Sequence, residues 1–270
     1  MRFLSFALFI LASIFSATAF ADTAVPIAAP VAVPAATPAP AVFTPAQQVA
    51  IESIIHDYLI AHPEVLLEAG QALQMKQEQM MQEKATKVIP TVATSLLHDP
   101  TSPVLGNPKG TVSVVEFFDY QCPHCKAMEP EIKTLLQQNK NVRFVAKELP
   151  IFGADSEFAA KAALAAQRQG KFEAFNAALL NAQGRLPSQT TLDIAKSLGV
   201  EVNRLQADMN LPEYTKELEA NASLANQLGI AGTPAFIVIA MDPTGKVKSQ
   251  FIPGQTDATK LAQAVSEVSK

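Results

Sequence analysis

The feature of this sequence that most constrains its fold and chemistry is a pair of cysteines, Cys122 and Cys125, in the stretch FFDYQCPHCKAM. They are the only 2 cysteines among 270 residues. A disulfide between positions so close encloses almost no loop, so it would constrain the unfolded chain very little. Stability is therefore a poor explanation for the pair, and chemistry at the two sulfur atoms is the better one.

The N-terminal residues predict secretion. Arg2 is followed by an apolar run over residues 3–15 and by the small-residue pattern Ala-Phe-Ala at 19–21, which is typical of a cleaved signal peptide over residues 1–21. The alternative is an uncleaved membrane anchor, but the run is shorter than the roughly 20 residues that a span needs. Secretion would place the two cysteines in an oxidising compartment, where disulfides form and persist.

The charge of the chain argues against nucleic acid as a partner. Cleavage of the signal peptide would remove one of the 21 basic residues and none of the 25 acidic residues. The mature chain would therefore carry a net negative charge, which is repelled by a phosphate backbone.

Composition divides the rest of the N-terminal region into three segments. Residues 22–44 are almost entirely Ala, Pro, Val and Thr, which predicts a disordered linker. Residues 45–90 are predicted to form a helical segment that begins after a Thr44 cap and restarts at Pro63. Prolines recur in residues 91–107, which are predicted to form a second linker.

The predicted helical segment carries a narrow apolar stripe. Leu66, Ala69, Leu73 and Met80 recur at roughly heptad spacing, and such a stripe is too narrow to build a core of its own. We therefore predict that the segment drives homo-oligomerisation, as a homodimer or alternatively a trimer. The competing interpretation is that the helix packs on its own catalytic domain.

Strands alternate with helices from residue 108 onward, and this pattern predicts an α/β domain over residues 108–270. A strand, helix, strand order implies a right-handed parallel crossover. The predicted elements are strands at residues 111–118, 142–147, 234–241 and 246–252, helices at 123–138 and 257–268, and an all-helical insertion at 155–229.

The cysteine motif alone is compatible with several chemistries. A structural zinc site needs four ligands, and the chain adds to the cysteines only His56, His62, His98 and His124, of which the first two fall in the predicted oligomerisation segment. Covalent haem attachment requires His directly after the second cysteine, and that position holds Lys. Zinc is therefore disfavoured and covalent haem is excluded, and a redox pair that uses no bound cofactor is the preferred interpretation.

The position of the motif strengthens the redox interpretation. Cys122 follows a predicted buried strand and lies at the start of a predicted helix, where unpaired N–H groups and the helix dipole favour thiolate over thiol. His124 can add positive charge or a hydrogen bond. A lowered pKa would make the Cys122 thiolate a good leaving group.

Residues 108–270 resemble the DsbA family of bacterial periplasmic thiol-disulfide oxidoreductases. The resemblance rests on Cys122-Pro123-His124-Cys125 directly after the strand that contains VVEFF, residues 114–118. It implies a thioredoxin-like fold with an inserted all-helical domain. It also implies that the catalytic residues are Cys122, Pro123, His124 and Cys125.

The same resemblance implies roles for residues outside the motif. Gly232-Thr233-Pro234 is similar to the cis-proline loop of the family, in which Thr233 and Pro234 would bind an extended client peptide. Glu116 matches a buried acid of the family and Lys147 its basic partner, a pair that would move protons to and from the thiols. For Glu116 the alternative is an edge residue that points to solvent.

The N-terminal helical segment is similar to those of oligomeric relatives, the ScsC proteins and the isomerase DsbC. Thr before the cis-proline is typical of isomerases, whereas Pro-His between the cysteines is typical of the oxidase. The resemblance therefore implies a periplasmic disulfide oxidase, isomerase or both. Its partners would be unfolded or misfolded secreted proteins and a membrane redox partner.

A different class of function remains open. The chain would then be a non-enzymatic oligomeric chaperone, or a copper-binding protein that uses the two cysteines with Met75, Met80 and Met81. Thioether sulfur is a soft ligand that suits Cu(I), although Met at helical spacing is more often packing.

Overall fold

The computed structural model describes residues 43–242 and 244–270. The signal peptide predicted over residues 1–21 lies outside the described residues, as does the linker predicted over 22–44 except for its last two residues. The chain divides into two compact units with the boundary between Ala61 and His62. In the part of the chain that the structure describes, no helix combines the length and the apolar character that a membrane span requires.

The described part of the first unit is helix α1, Pro45–Ala61. It begins with the predicted capping box: the Gln47 backbone N–H donates to Thr44 Oγ1 at 3.3 Å, and the Thr44 N–H donates to Gln47 Oε1 at 2.8 Å. Large apolar side chains along α1 are exposed, among them Ile54 and Ile60. The helix therefore presents apolar surface that its own fold does not cover.

The second unit opens with helix α2, Glu64–Leu97, which is 34 residues long. Its N-terminal half is exposed, whereas its C-terminal part buries Ala85, Ile89, Ala93, Leu96 and Leu97. That buried part packs on the α/β domain of the same chain. The competing interpretation, which predicted such packing for the whole segment, is therefore correct for this part only.

The prediction of a linker over residues 91–107 was wrong for much of its length. Helix α2 continues through Pro90 to Leu97, and strand β1 occupies Val104–Gly106. A proline inside a helix removes one hydrogen bond, but Ile89 and Ala93 on either side of it are buried against the sheet. Tertiary packing therefore outweighs the local helix-breaking signal.

A five-stranded mixed sheet forms the centre of the second unit, in the order β1-β3-β2-β4-β5. Strands β2 and β3 are parallel, and the other neighbouring pairs are antiparallel. Helix α3, Pro123–Gln138, makes the predicted crossover between β2 and β3. The remaining strands are β2 at Val112–Phe118, β3 at Val142–Glu148, β4 at Ala235–Met241 and β5 at Val247–Pro253.

Five helices lie between β3 and β4, and a last helix follows β5. Together with the sheet they confirm the predicted thioredoxin-like fold with a helical insertion. Helix α6 begins one residue earlier than expected, with Pro187 rather than Ser188 at its N-cap position. The helices are α4 at Ala154–Gln167, α5 at Phe172–Asn181, α6 at Ser188–Ser197, α7 at Val202–Met209, α8 at Pro212–Leu228 and α9 at Ala258–Ser269.

Side chains of the sheet alternate between two hydrophobic cores, because successive strand residues point to opposite faces. Val114 and Phe118 of β2 belong to the core shared with α3, α4, α5 and α9. Val115 and Phe117 belong to the core beneath α2 and α8. All seven residues of β2 are buried, so the strand that leads to the cysteine motif is fixed from both sides.

Candidate active site

The two cysteines lie where the predicted geometry places them. Cys122 is the N-cap residue of α3, with extended backbone angles (φ −73°, ψ 119°), and Pro123 opens the helix. Cys125 follows in the first turn and is fully buried. Both are free thiols, so the structure shows the dithiol form of the pair.

The environment of Cys122 favours its thiolate. A hydrogen bond from the Cys125 thiol lowers the pKa of Cys122 most, and the Thr233 side chain and the backbone N–H groups of Cys125 and His124 lower it further, to about 5. Burial raises the pKa but does not offset these donors. Cys122 is therefore largely ionised at neutral pH while its neighbour supplies a proton in the hydrogen bond.

Cys125 is tuned in the opposite direction. Burial raises the pKa of its thiol, and the hydrogen bond that it donates to Cys122 and the nearby Glu116 carboxylate raise it further, far above the ordinary value. A backbone hydrogen bond from Asp119 opposes the shift. The two sulfurs thus have distinct chemical roles, one nucleophile or leaving group and one proton carrier.

The Thr233–Pro234 loop lies against the reactive sulfur. Its peptide bond is cis, as the resemblance predicted. The Cys122 thiol is 3.2 Å from the Thr233 carbonyl oxygen, and β4 begins directly after Pro234. Residues 111 positions apart in the chain therefore share one site.

His124 is exposed and is oriented by a residue that the sequence did not indicate. Its Nδ1 lies 2.8 Å from Oε1 of Gln255, in the loop between β5 and α9. A carboxamide oxygen only accepts hydrogen bonds, so Nδ1 carries the proton of this pair. No local pattern around Gln255 marks it, because its partner lies 131 positions away in the chain.

Asp119, the residue after β2, was also missed. Its Oδ1 accepts from the Gln121 N–H at 2.7 Å and the Ser156 hydroxyl at 2.8 Å, and its Oδ2 accepts from the N–H groups of Ile151 and Phe152 at 2.7 and 3.1 Å. These bonds join the turn that carries Cys122 to the β3–α4 loop and to α4. The position of Asp119 in the sequence, between a buried strand and the cysteine that opens a helix, could have indicated that it supports the site.

Glu116 is buried, with 2% of its surface exposed, on the face of the sheet that the cysteines share. Burial raises the pKa of its carboxyl well above the ordinary value, and the charge of Cys122 raises it further. Its Oε1 has no hydrogen-bond partner among the described residues. A carboxyl of this kind holds a proton near the redox pair at a pH where an exposed Glu has lost it.

The predicted partnership of Glu116 with Lys147 was wrong. Strand β3 pairs with β2 so that Ala146 lies beside Glu116 and Lys147 lies beside Phe117. Because side chains alternate along a strand, Lys147 points to the opposite face of the sheet. There it forms an ion pair with Asp99, in the loop after α2.

Asp99 is the true counter-ion of this buried lysine. Burial raises the pKa of Asp99, but hydrogen bonds from Lys147 and Thr101 outweigh it and lower the pKa to about 2. The Ser102 hydroxyl is 3.1 Å from the same Asp99 oxygen as Lys147 and 2.9 Å from Glu217 Oε1 on α8. The pair therefore ties the end of α2 to the sheet and does not supply protons to the thiols.

No group of three or more His, Cys, Asp and Glu side chains is arranged to hold a metal ion in the described part of the chain. Met75 and Met80 are exposed on the N-terminal half of α2, and Met81 is partly buried against the second core.

Two protein families match different parts of the chain. Residues 113–266 match the family described as DSBA-like thioredoxin domain. Residues 47–79 match the family described as copper resistance protein ScsC N-terminal domain. The first match covers the sheet, the helical insertion and the cysteine motif, and the second covers α1 and the exposed half of α2.

Solved structures and curated proteins agree with these matches. A thioredoxin-like oxidoreductase from Silicibacter pomeroyi is 43% identical, with a TM-score of 0.60 over 64% of this chain and 95% of that one. Proteus mirabilis ScsC in a transitional conformation is 27% identical, with a TM-score of 0.58 over 83% of this chain and 98% of that one. The thiol:disulfide interchange protein DsbA of Burkholderia cepacia is 30% identical over 154 residues, which are 54% of this chain and 72% of that protein.

Two Na(+)/H(+) antiporters, from Salinispora arenicola and Salinispora tropica, match at 31% identity over 137 residues. Each match covers 50% of this chain but only 21% of the antiporter. The chain thus spans about a fifth of the length of these curated relatives.

Proposed function

We propose that this chain, which belongs to the DSBA-like thioredoxin family, is a thiol-disulfide oxidoreductase that exchanges disulfides with secreted proteins and uses no bound cofactor. One observation carries the proposal: a sulfur with its pKa lowered to about 5 lies one helical turn from a buried thiol with its pKa raised. Such asymmetry makes Cys122 the atom that clients attack or that attacks clients, and makes Cys125 the resolving thiol.

In the oxidase direction, a client thiolate attacks Sγ of Cys122 in the Cys122–Cys125 disulfide. The S–S bond breaks, and Cys125 leaves with the electron pair and takes up a proton, for which the buried Glu116 carboxyl is the nearby donor. A second client thiolate then attacks the client sulfur of the mixed disulfide, and Cys122 leaves as a thiolate. The client loses two electrons, and the enzyme is left as the dithiol.

In the isomerase direction, the Cys122 thiolate of the dithiol form attacks an incorrect client disulfide. One client thiolate is released and later attacks another client disulfide or the mixed disulfide itself. No net electron transfer occurs, and the enzyme returns to its starting state. The same pKa of Cys122 serves both directions, so the pair itself is compatible with oxidase and isomerase use.

Clients are expected to bind as extended peptides beside Thr233 and Pro234. The Thr233 carbonyl already lies at hydrogen-bond distance from the Cys122 sulfur. Exposed Ile151 and Phe152 lie in the β3–α4 loop that Asp119 joins to the cysteine turn. Unfolded and misfolded proteins, which expose backbone and apolar side chains, are the class of client that such a surface suits.

The test of the reaction uses two cysteine variants. Cys122→Ser should abolish insulin reduction and the refolding of scrambled ribonuclease, whereas Cys125→Ser should accumulate mixed disulfides with clients. Thermal unfolding of both variants serves as the control that the fold is kept. Turnover that persists in Cys122→Ser would refute the proposed reaction.

We further propose that α1 and the exposed half of α2 form a homo-oligomer, a dimer or a trimer. The support is the exposed apolar side chains of these helices and the match of residues 47–79 to the ScsC N-terminal domain. Deletion of residues 22–79 leaves the buried C-terminal part of α2 in place. Sedimentation of the deleted chain should give the mass of a monomer, and an unchanged oligomeric mass would contradict the assignment.

The periplasm is the proposed location, with residues 1–21 as a cleaved signal peptide. A membrane redox partner would restore the oxidised or reduced form of the pair after each turnover. The redox state of the pair in cells distinguishes the two uses: mostly disulfide indicates oxidase, and mostly dithiol indicates isomerase.

A second candidate function is copper binding without catalysis, favoured by the description of the family that matches residues 47–79. The ligands would be Cys122 and Cys125, with Met75, Met80 and Met81 as a second set. Titration with Cu(I) of the chain and of its double-cysteine variant separates the possibilities. Stoichiometric, tight binding that needs both sulfurs, combined with no disulfide exchange, would favour copper carriage over the enzyme.

A further inference from the structure

A cleft of about 640 Å³ lies between the sheet, α3 and α5. Strands β1, β2 and β3 form its floor, and the two helices form its walls. Most of its surface is apolar. The lining includes Phe118 and Phe144 from the sheet, Ile132 and Leu136 from α3, and Leu180 from α5.

Three of the six polar side chains that line this cleft among the described residues are acidic. Glu116 lines it from β2, Glu129 from α3 and Glu173 from α5, and Lys133 is the one cationic side chain among the described residues that line it. Glu129 is partly buried, and Glu173 and Lys133 are exposed. Carboxyl groups therefore surround an apolar space, with the most buried of them on its floor.

Glu116 is the feature that indicates a ligand. Its side chain is almost completely buried, and its Oε1 accepts no hydrogen bond from the described residues. Buried polar atoms are nearly always paired, so an unpaired carboxyl oxygen requires an explanation. In the strand register Glu116 lies between Ala146 of β3 and Phe236 of β4, and it is one of the residues that line the cleft.

We propose that this cleft binds a small amphipathic cation, a primary amine on an apolar body, with its ammonium group at the Glu116 carboxylate. The apolar walls would bury the body of the ligand, and the ammonium would donate the hydrogen bond that Oε1 lacks. An alcohol of the same shape would bury the same area without the charge. An apolar acid would add a further carboxylate to the three carboxyl groups of the cleft.

Binding of the amine is coupled to the proton on Glu116. Burial and the Cys122 charge keep the pKa of the empty carboxyl raised, so the proton must leave when an ammonium group takes its place. Other ionisable groups face or influence this carboxyl. They are Cys122 at the N-cap of α3, Cys125, Glu129 and Lys133 on α3, Tyr120 before it, Glu148 on β3 and Glu173 on α5. An occupied cleft thus removes an exchangeable proton from the neighbourhood of the redox pair.

Calorimetric titration of the full chain with phenylbutylamine, phenylbutanol and phenylbutyrate tests the proposal. The pH is set at about 5.5, where an ordinary Glu would be roughly 90% ionised and would therefore release almost no proton when the amine binds. We expect the amine to bind about tenfold or more tightly than the alcohol. We also expect its binding to release close to one proton, measured from the dependence of the heat on the buffer's ionisation enthalpy.

Three variants make the result specific to the cleft. Glu116→Gln should abolish proton release and remove the preference for amine over alcohol. Ala177→Leu on α5 narrows the cleft and should weaken amine binding about tenfold, whereas Ala178→Leu, next to it but outside the lining, should not. Equal affinities of the amine and the alcohol, no proton release, or unchanged binding in Glu116→Gln would each overturn the proposal.

Discussion

The ion pair between Lys147 and Asp99 supports a quantitative prediction about stability. Lys147 is 1% exposed and the Asp99 side chain 20% exposed. Asp99→Asn would leave the ammonium buried without a counter-ion, and breaking a buried pair in this way costs about 3 to 5 kcal/mol. The pKa of Asp99 is lowered from 3.8 to about 2. A shift of this size means that ionised Asp99 alone contributes at most about 2.4 kcal/mol to the free energy of unfolding, and about 1 kcal/mol after allowance for solvent at the partly exposed carboxylate.

Urea unfolding of the chain and of Asp99→Asn measures this difference. Because the pKa of Asp99 is lower in the folded state, its contribution is present above the unfolded pKa near 3.8 and is lost as the pH falls through about 2. The gap between the two proteins should therefore be largest at neutral pH and shrink on acidification. Asp57→Asn, at an exposed position on α1, should change stability by less than about 0.5 kcal/mol.

A double variant separates the lost counter-ion from a local disturbance. Asp99→Leu combined with Lys147→Met replaces both charges by apolar groups and should recover most of the stability lost in Asp99→Asn. If Asp99→Asn lowers the free energy of unfolding at neutral pH by less than about 1 kcal/mol, instead of the expected cost of a broken buried ion pair, the reasoning is refuted. A gap that widens on acidification would refute it as well.

Three further predictions concern the cysteine site. The lowered pKa of Cys122 stabilises the folded, reduced protein at pH values above the folded pKa of about 5. In urea unfolding under reducing conditions, Cys122→Ser should therefore lower the free energy of unfolding by about 1.5 to 3 kcal/mol at pH 7 and by little at pH 4. The lower figure allows for solvent screening. Asp119→Ala should leave the N–H groups of the β3–α4 loop without their acceptor and cost about 3 kcal/mol in the same assay. Glu116→Gln should lower the pKa of Cys125, because the Glu116 charge raises it. Alkylation of Cys125 at one alkaline pH in a Cys122→Ser background should therefore be faster with the Glu116→Gln substitution than without it, and an unchanged rate would argue against the coupling.

Local sequence patterns were sufficient to predict the strand and helices around the cysteine motif. The buried run of β2, the cysteine pair at the start of α3 and the all-helical stretch after β3 each depend on neighbouring residues, and the structure contains all three. The cis bond before Pro234 was expected from the position of the proline in the fold rather than from its neighbours.

The errors involve contacts between distant parts of the chain. The family resemblance implied that Glu116 and Lys147 form a pair, but a register of Glu116 with Ala146 places them on opposite faces of the sheet. A shift of one residue in that register would have reversed the result. Helix α2 passes through Pro90 because the sheet buries its far end, and that sheet is built from strands that lie further along the chain.

The residues that support the site were hidden for the same reason. Gln255 orients His124 from a loop 131 positions away, and Asp119 binds N–H groups more than 30 positions further along the chain. Both contacts exist only once the loops converge at the start of α3. A single sequence shows the reactive atoms but not the groups that hold them.

Alkylation of the reduced chain with iodoacetamide as a function of pH, with the modified residue identified by mass spectrometry, measures the ionisation of Cys122 directly. The rate at this residue should reach half its maximum near pH 5, in accord with hydrogen bonds from Cys125 and the helix N–H groups that lower its pKa to about 5. A midpoint near the value of about 8.5 for free cysteine would contradict the assignment of Cys122 as an activated thiolate, and with it the proposed disulfide exchange.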